Sequence, residues 1–97
     1  MCGAVAGGPN IFGVDISKEA VIQGVVTRDG ESVSPAYVRL LDASGEFTAE
    51  VPTSASGEFR FFAGPGPWTV RVLAAGGTAD RTVHASVGQV ADLAVSL

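Results

Sequence analysis

The sequence predicts an all-β fold, a seven-stranded antiparallel β-sandwich, on three observations. Short runs of β-branched and aromatic residues recur along the chain: "AVIQGVVT", "PAYVRLLD", "EFTAEVPT", "EFRFFA" and "PWTVRVLAA". Tight clusters of Gly, Pro, Ser and Asp separate them: "RDGES", "ASG", "SASG" and "GPG". Strands punctuated by turns leave this signature. Within the runs apolar residues alternate with a period of two, and no stretch sustains the 3.6-residue period of an amphipathic helix.

Residues 1–17 read as a flexible tail, because Gly3, Gly7, Gly8, Pro9, Asn10 and Gly13 interrupt any periodicity. Only Ile11, Phe12, Val14 and Ile16 are left there to dock on something. Residues 18–97 read as one sandwich domain. In the first run Ile22, Gly24 and Val26 share one face, and Val21, Gln23 and Val25 share the other. The Asp29-Gly30 pair that follows is a turn signal irrespective of function. In the next run Ala36, Val38 and Leu40 oppose Tyr37, Arg39 and Leu41. "EFRFFA" sets Phe59 and Phe61 against Arg60 and Phe62, and "PWTVRVLAA" sets Trp68, Val70 and Val72 against Thr69, Arg71 and Leu73. These two runs are expected to pair as a hairpin across "GPG", where Pro65 and Pro67 fix φ. "TADRTVHAS" and "QVADLAVSL" supply the last two strands.

Ninety-seven residues make one modest core. With 46% hydrophobic and 16% charged residues, the chain lies well inside the folding regime. A net charge of −4 argues against nucleic acid and anionic membranes, whose phosphates need clustered Lys and Arg. Arg28, Arg39, Arg60, Arg71 and Arg81 instead fall singly on different elements. A single cysteine, Cys2, rules out an internal disulfide, and the start lacks a basic, apolar leader. A cytoplasmic protein is expected.

Residues that carry chemistry are scarce. One histidine, His84, provides neither a His-rich metal site nor a two-histidine dyad, and its alternation with Val83 and Ala85 puts it on the outer side of a strand. No metal or other cofactor is expected. The acidic residues are dispersed, without calcium-loop spacing. Lys18, Glu58 and Asp92 would be the trio for an internal amide bond if buried together, but Lys18 sits among polar neighbours and the burial cost opposes it. Cys2 is the nucleophile of note: once Met1 is removed, the adjacent ammonium lowers its thiol pKa, and a Gly-rich arm would carry it to a partner. Because Val21, Val25, Leu41, Phe62 and Leu73 alternate away from the core set, the second face is also apolar. It is expected to form an interface, covered by the tail, a second copy or another protein. The expectation is therefore a protein that binds rather than catalyses. The competing reading is a peptide- or carbohydrate-recognition module displaying Tyr37, Phe47 or Trp68 on loops at one end.

Over residues 21–77 the pattern Ile22, Gly24, Val26, Gly30, Ala36, Val38, Leu40, Gly57, Phe59, Phe61, Pro65, Gly66 and Trp68 resembles the carboxypeptidase-regulatory-like family of transthyretin-like, or prealbumin-like, Greek-key sandwiches. Transthyretin-like hydroxyisourate hydrolases need several histidines and a Tyr-Arg-Gly-Ser ending, whereas this chain ends "AVSL". In length, in its "MC" start and in "EFTAEV", "GEFRFFA" and "WT", the chain is most similar to the small actinobacterial SseC-like family. That resemblance implies sulfur metabolism, because genes of that family lie beside those of thiosulfate sulfurtransferases (rhodaneses). It further implies a sulfurtransferase partner, with Cys2 as a sulfur acceptor.

Overall fold

The computed structural model describes Gly3–Val5 and residues 19–97. Strands β1 (Gly3–Val5), β2 (Ala20–Arg28), β3 (Glu31–Ser32), β4 (Tyr37–Leu41), β5 (Phe47–Pro52), β6 (Glu58–Ala63), β7 (Gly66–Ala74), β8 (Gly77–Ala85) and β9 (Val90–Ser96) follow one another, with no helix among the described residues. The fold is an all-β sandwich, as the alternation predicts. The seven longer strands coincide with the seven runs, and β1 and β3 are short additions. Part of the segment read as a tail thus forms an edge strand: Gly3–Val5 pairs with β6. The rest of that segment, with Ile11, Phe12, Val14, Ile16 and Lys18, lies outside the described residues.

One sheet has the order β1-β6-β2-β3, with β9 also paired to β2, and the other runs β5-β4-β7-β8. Two features depart from the expected topology. The β2–β9 pair is parallel, from Val21↔Val90 to Thr27↔Ser96. The chain returns from β8 across the sandwich to the open side of β2 and enters running in the same direction. Second, β6 and β7 are not a hairpin: β6 pairs with β1 and β2, and β7 with β4 and β8. A period of two shows only that Phe59, Phe61, Val70 and Val72 face one core, and strands of opposite sheets meet that condition as well as neighbours do. At this corner the Trp68 indole Nε1 donates to the Gly64 carbonyl at 2.9 Å.

The core lies between the sheets. Ile22, Val26, Phe59, Phe61 and Val95 are closed off from water on one side, and Val38, Leu40, Val70, Val72 and Ala85 on the other. The Phe59 and Phe61 rings sit 6.1 Å apart at 55°. Burying each such ring stabilises the fold by about 1.5–3 kcal/mol. Thr53 is buried and satisfied, its Oγ1 donating to the Val33 carbonyl at 3.0 Å and accepting from the Ala36 N–H at 3.0 Å. Both residues of the β2–β3 turn take positive φ, Asp29 at 53° and Gly30 at 82°. Two-residue hairpins need that conformation, and Asp-Gly supplies it at low steric cost.

Candidate functional site

The outward-pointing residues of the two sheets differ in character, and on one sheet several of them, Val21, Arg60 and Phe62, are buried. On the β1-β6-β2-β9 side, register builds three rows across β9, β2 and β6. The first is Val90–Val21–Phe62, the second Asp92–Gln23–Arg60 and the third Ala94–Val25–Glu58. The middle row is a polar chain. Arg60 Nε donates to Gln23 Oε1 at 3.2 Å, and Gln23 Nε2 donates to Asp92 Oδ1 at 2.9 Å. A guanidinium only donates and a carboxylate only accepts, so the two ends fix the orientation of the amide between them. Arg60 is fully buried. Burial pushes its pKa below the usual arginine value, and the nearby Glu58 charge opposes that shift.

A pocket of about 220 Å³ opens beside this row, lined by Gln23, Gly24, Val25, Glu58, Phe59, Asp92 and Leu93. The Phe59 and Leu93 side chains belong to the core, so those residues and Gly24 present main chain to the pocket, while Gln23, Val25, Glu58 and Asp92 wall it. Gly24 is required for this close approach: a Cβ there would collide with the Leu93 carbonyl oxygen and lie 2.8 Å from Phe59 Cζ. Ser56 Oγ donates to Glu58 Oε1 at 2.8 Å. A carboxylate has about four acceptor positions, so Glu58 and Asp92 each retain capacity for a ligand.

The β5-β4-β7-β8 side combines charged and aromatic residues. Its middle row reads Glu50–Arg39–Arg71–Asp80, two cations side by side with a carboxylate on each flank. Arg39 Nε reaches Glu50 Oε1 at 2.7 Å, and Arg71 forms a two-pronged pair with Asp80 through Nε and Nη2, both at 3.0 Å. The hydrogen-bonded carboxylate raises the Arg71 pKa. Arg39 also stacks over the Phe47 ring, 5.8 Å from its centroid. Tyr37 and Phe47 are 50% and 60% exposed.

The sequence-derived residues distribute unevenly over these surfaces. Val21, Val25 and Phe62 fall on the outer side of one sheet, and Leu41 and Leu73 on the outer side of the other. They do not form one face. Val21, Leu41 and Phe62 retain at most 8% exposure, and Val25 and Leu73 are half-buried, so these five do not make an open apolar patch. Two-fold alternation places a side chain on a face without saying which sheet carries it. Tyr37 and Phe47 are exposed on strands rather than loops, at opposite ends of the β4–β5 pair, opposite Pro52 and Leu41 respectively. Trp68 is half-buried against the core. His84 is exposed on the outer side of β8, as its alternation predicts. Glu58 and Asp92 do line one pocket, but Lys18 and Cys2 lie outside the described residues. Sequence reasoning missed Gln23 and Arg60, whose signal was a polar residue at the outward position of two adjacent, otherwise apolar strands.

Among the described residues no group of three or more His, Cys, Asp or Glu is placed to hold a metal ion. No helix among them is long and apolar enough to cross a membrane. Two uncharacterised proteins of Mycobacterium tuberculosis H37Rv, Rv0814c and Rv3118, are each 60% identical to this chain over 74 residues, spanning 75% of it and 74% of their own length. An uncharacterised protein of Mycolicibacterium smegmatis is 60% identical over 72 residues, 73% of this chain and 80% of its own. One family pattern matches residues 2–97, all of the sandwich together with the segment before it, and the chain belongs to that family, described as a protein of unknown function (DUF1416).

Proposed function

We propose that this domain is a non-catalytic accessory protein of the cytoplasm that acts by binding another protein, and that the partner is a thiosulfate sulfurtransferase of the rhodanese type. The observation that supports binding is the outer face of the β5-β4-β7-β8 sheet, where Tyr37 and Phe47 stand 50% and 60% exposed with Arg39 beside them. Aromatic and arginine side chains dominate binding energies at protein interfaces. A four-stranded sheet holds them in place before the partner arrives, which lowers the ordering cost of association. The sulfurtransferase part rests on the SseC-like resemblance. The finer assignment to the carboxypeptidase-regulatory-like, transthyretin-like sandwiches rests on the motif positions, among which Phe59 and Phe61 are core residues and Trp68 packs at its margin.

Within this reading Cys2 is the sulfur acceptor. Its thiolate attacks the outer sulfur of the partner's persulfide, a new S–S bond forms at Cys2, the partner's S–S bond breaks, and the partner's thiolate leaves. The test is capture of a purified rhodanese on the immobilised chain, followed by incubation with thiosulfate and intact-mass measurement. The expected results are co-retention that weakens in a Tyr37→Ala/Phe47→Ala variant and a mass gain of about 32 Da that disappears in Cys2→Ser. Absence of co-retention overturns the partner, and an unmodified Cys2 overturns the acceptor role.

The same exposed Tyr37 and Phe47 favour a second reading, a peptide- or carbohydrate-recognition module, since aromatic faces also stack on extended ligands. Binding to a glycan or peptide array that is lost in the double variant would favour this second reading over the first. Sedimentation of the isolated chain separates either reading from self-association through the same face.

A further inference from the structure

We propose that the pocket between β2, β6 and β9 is a receptor for a single basic side chain, a lysine ammonium or arginine guanidinium presented by a protein partner. The volume sets the scale. About 220 Å³ is smaller than the 300–1,000 Å³ of cofactor and drug-sized sites, so the pocket admits a side chain rather than a whole cofactor. The lining sets the sign. Among the described residues its two charged walls, Glu58 and Asp92, are carboxylates on opposite sides of β2, set diagonally: Asp92 pairs with Gln23 and Glu58 with Val25.

The remaining polar wall is Gln23, whose oxygen accepts from Arg60 and whose Nε2 donates to Asp92, so the amide holds the Asp92 carboxylate in place beside the pocket. An anion would meet two like charges. A divalent cation such as calcium needs six to eight oxygen ligands, and no group of three or more acidic or metal-ligating side chains surrounds the pocket among the described residues. Val25 supplies the apolar wall on which the methylene stem of a lysine or arginine lies while its head reaches the carboxylates. The Arg60 charge lies in the same row as Asp92 and opposes the field of the two acids, so binding is weak for an isolated residue and falls with salt. On a protein partner it adds to other contacts and selects for a basic side chain at one position.

This site lies on the sheet opposite to the one bearing Tyr37 and Phe47 and does not depend on the partner being a sulfurtransferase. A failed capture of rhodanese therefore leaves it standing, and its own failure leaves the capture standing. The test is an amide NMR titration of the full chain with three probes: Nα-acetyl-lysine methylamide, Nα-acetyl-arginine methylamide, and the charge-neutral Nα,Nε-diacetyl-lysine methylamide. The charged probes are expected to shift the amides of Gln23, Gly24, Val25, Asp92 and Leu93 with millimolar affinity, and the neutral probe is not. The Asp92→Asn/Glu58→Gln variant is expected to bind the charged probes at least about fivefold more weakly, as loss of a charge-assisted contact requires. Equal shifts with the neutral probe, shifts undiminished in the variant, or a silent pocket up to about 50 mM probe each overturn the proposal. The neutral-probe comparison needs no variant, so it decides the matter even where a substitution disturbs the fold.

Discussion

Asp80 sits at the end of a charged row, its carboxylate gripped by both Nε and Nη2 of Arg71. That hydrogen bonding, and secondarily the guanidinium charge, holds its carboxyl below the usual aspartate value of 3.8. Asp42 is lowered as well, first by the Ser44 hydroxyl and then by the Glu46 N–H, which it accepts at 2.6 and 3.0 Å to shape the β4–β5 turn. A folded-state pKa below the unfolded one means that the group contributes stability above the unfolded value of about 3.9 and loses it as pH falls through the folded value. Both residues therefore favour the fold at neutral pH and cease to do so in acid. Replacing Arg71 by Met is expected to return the Asp80 titration midpoint, followed by carboxylate NMR, toward 3.8 while leaving that of Asp42 unchanged. An Asp80 midpoint indifferent to the substitution would remove Arg71 as the cause.

At the level of strands, much is legible in the sequence. "EFRFFA" is β6 from its first residue to its last, and "AVIQGVVT" and "QVADLAVSL" differ from β2 and β9 by a residue or two at their ends. Apolar alternation is a local property, and both the strands and their core faces follow from it. Which strands become neighbours is not local. The pocket arises where β6, β2 and β9 meet, and the Gln23–Asp92 bond that frames it joins residues 69 positions apart. Val21 and Leu41 alternate alike, yet they end on opposite sides of the sandwich, because the sheet to which a strand belongs is set by the connections. One residue does report the crowding around β2. A glycine amid β-branched residues marks close backbone approach, and Gly24 is where β9 and the Phe59 ring leave no room for a Cβ. Gly24→Ala is accordingly expected to cost about 1–3 kcal/mol, as overpacking of a filled core does. Urea denaturation measures it, and a midpoint equal to that of the parent would mean that β2 and β9 part easily.

For the molecule as a whole, the decisive feature is that β2, first of the long strands, is closed by β9, the last, in parallel pairing over seven residue pairs from Val21↔Val90 to Thr27↔Ser96. Were β9 peripheral, weakening it would fray one edge and leave the remainder intact. Val95 is fully buried, and its side chain enters the same cluster as Val70 and Val72 of the opposite sheet, so it ties β9 to both layers. Val95→Ala removes two methyl groups, worth about 1.6 kcal/mol of transfer free energy. The cavity left behind adds to that cost. The single tryptophan, Trp68, reports from β7 in the other sheet. If the sandwich unfolds as one cooperative unit, Trp68 fluorescence and far-ultraviolet circular dichroism keep coincident transitions in Val95→Ala, both moved to lower denaturant. A fluorescence transition that stays at the parent midpoint while the dichroism signal falls early would show β9 separating alone. In that event Asp92 would leave Glu58 and Gln23 behind, and the pocket would open and close with the last strand rather than stand preformed.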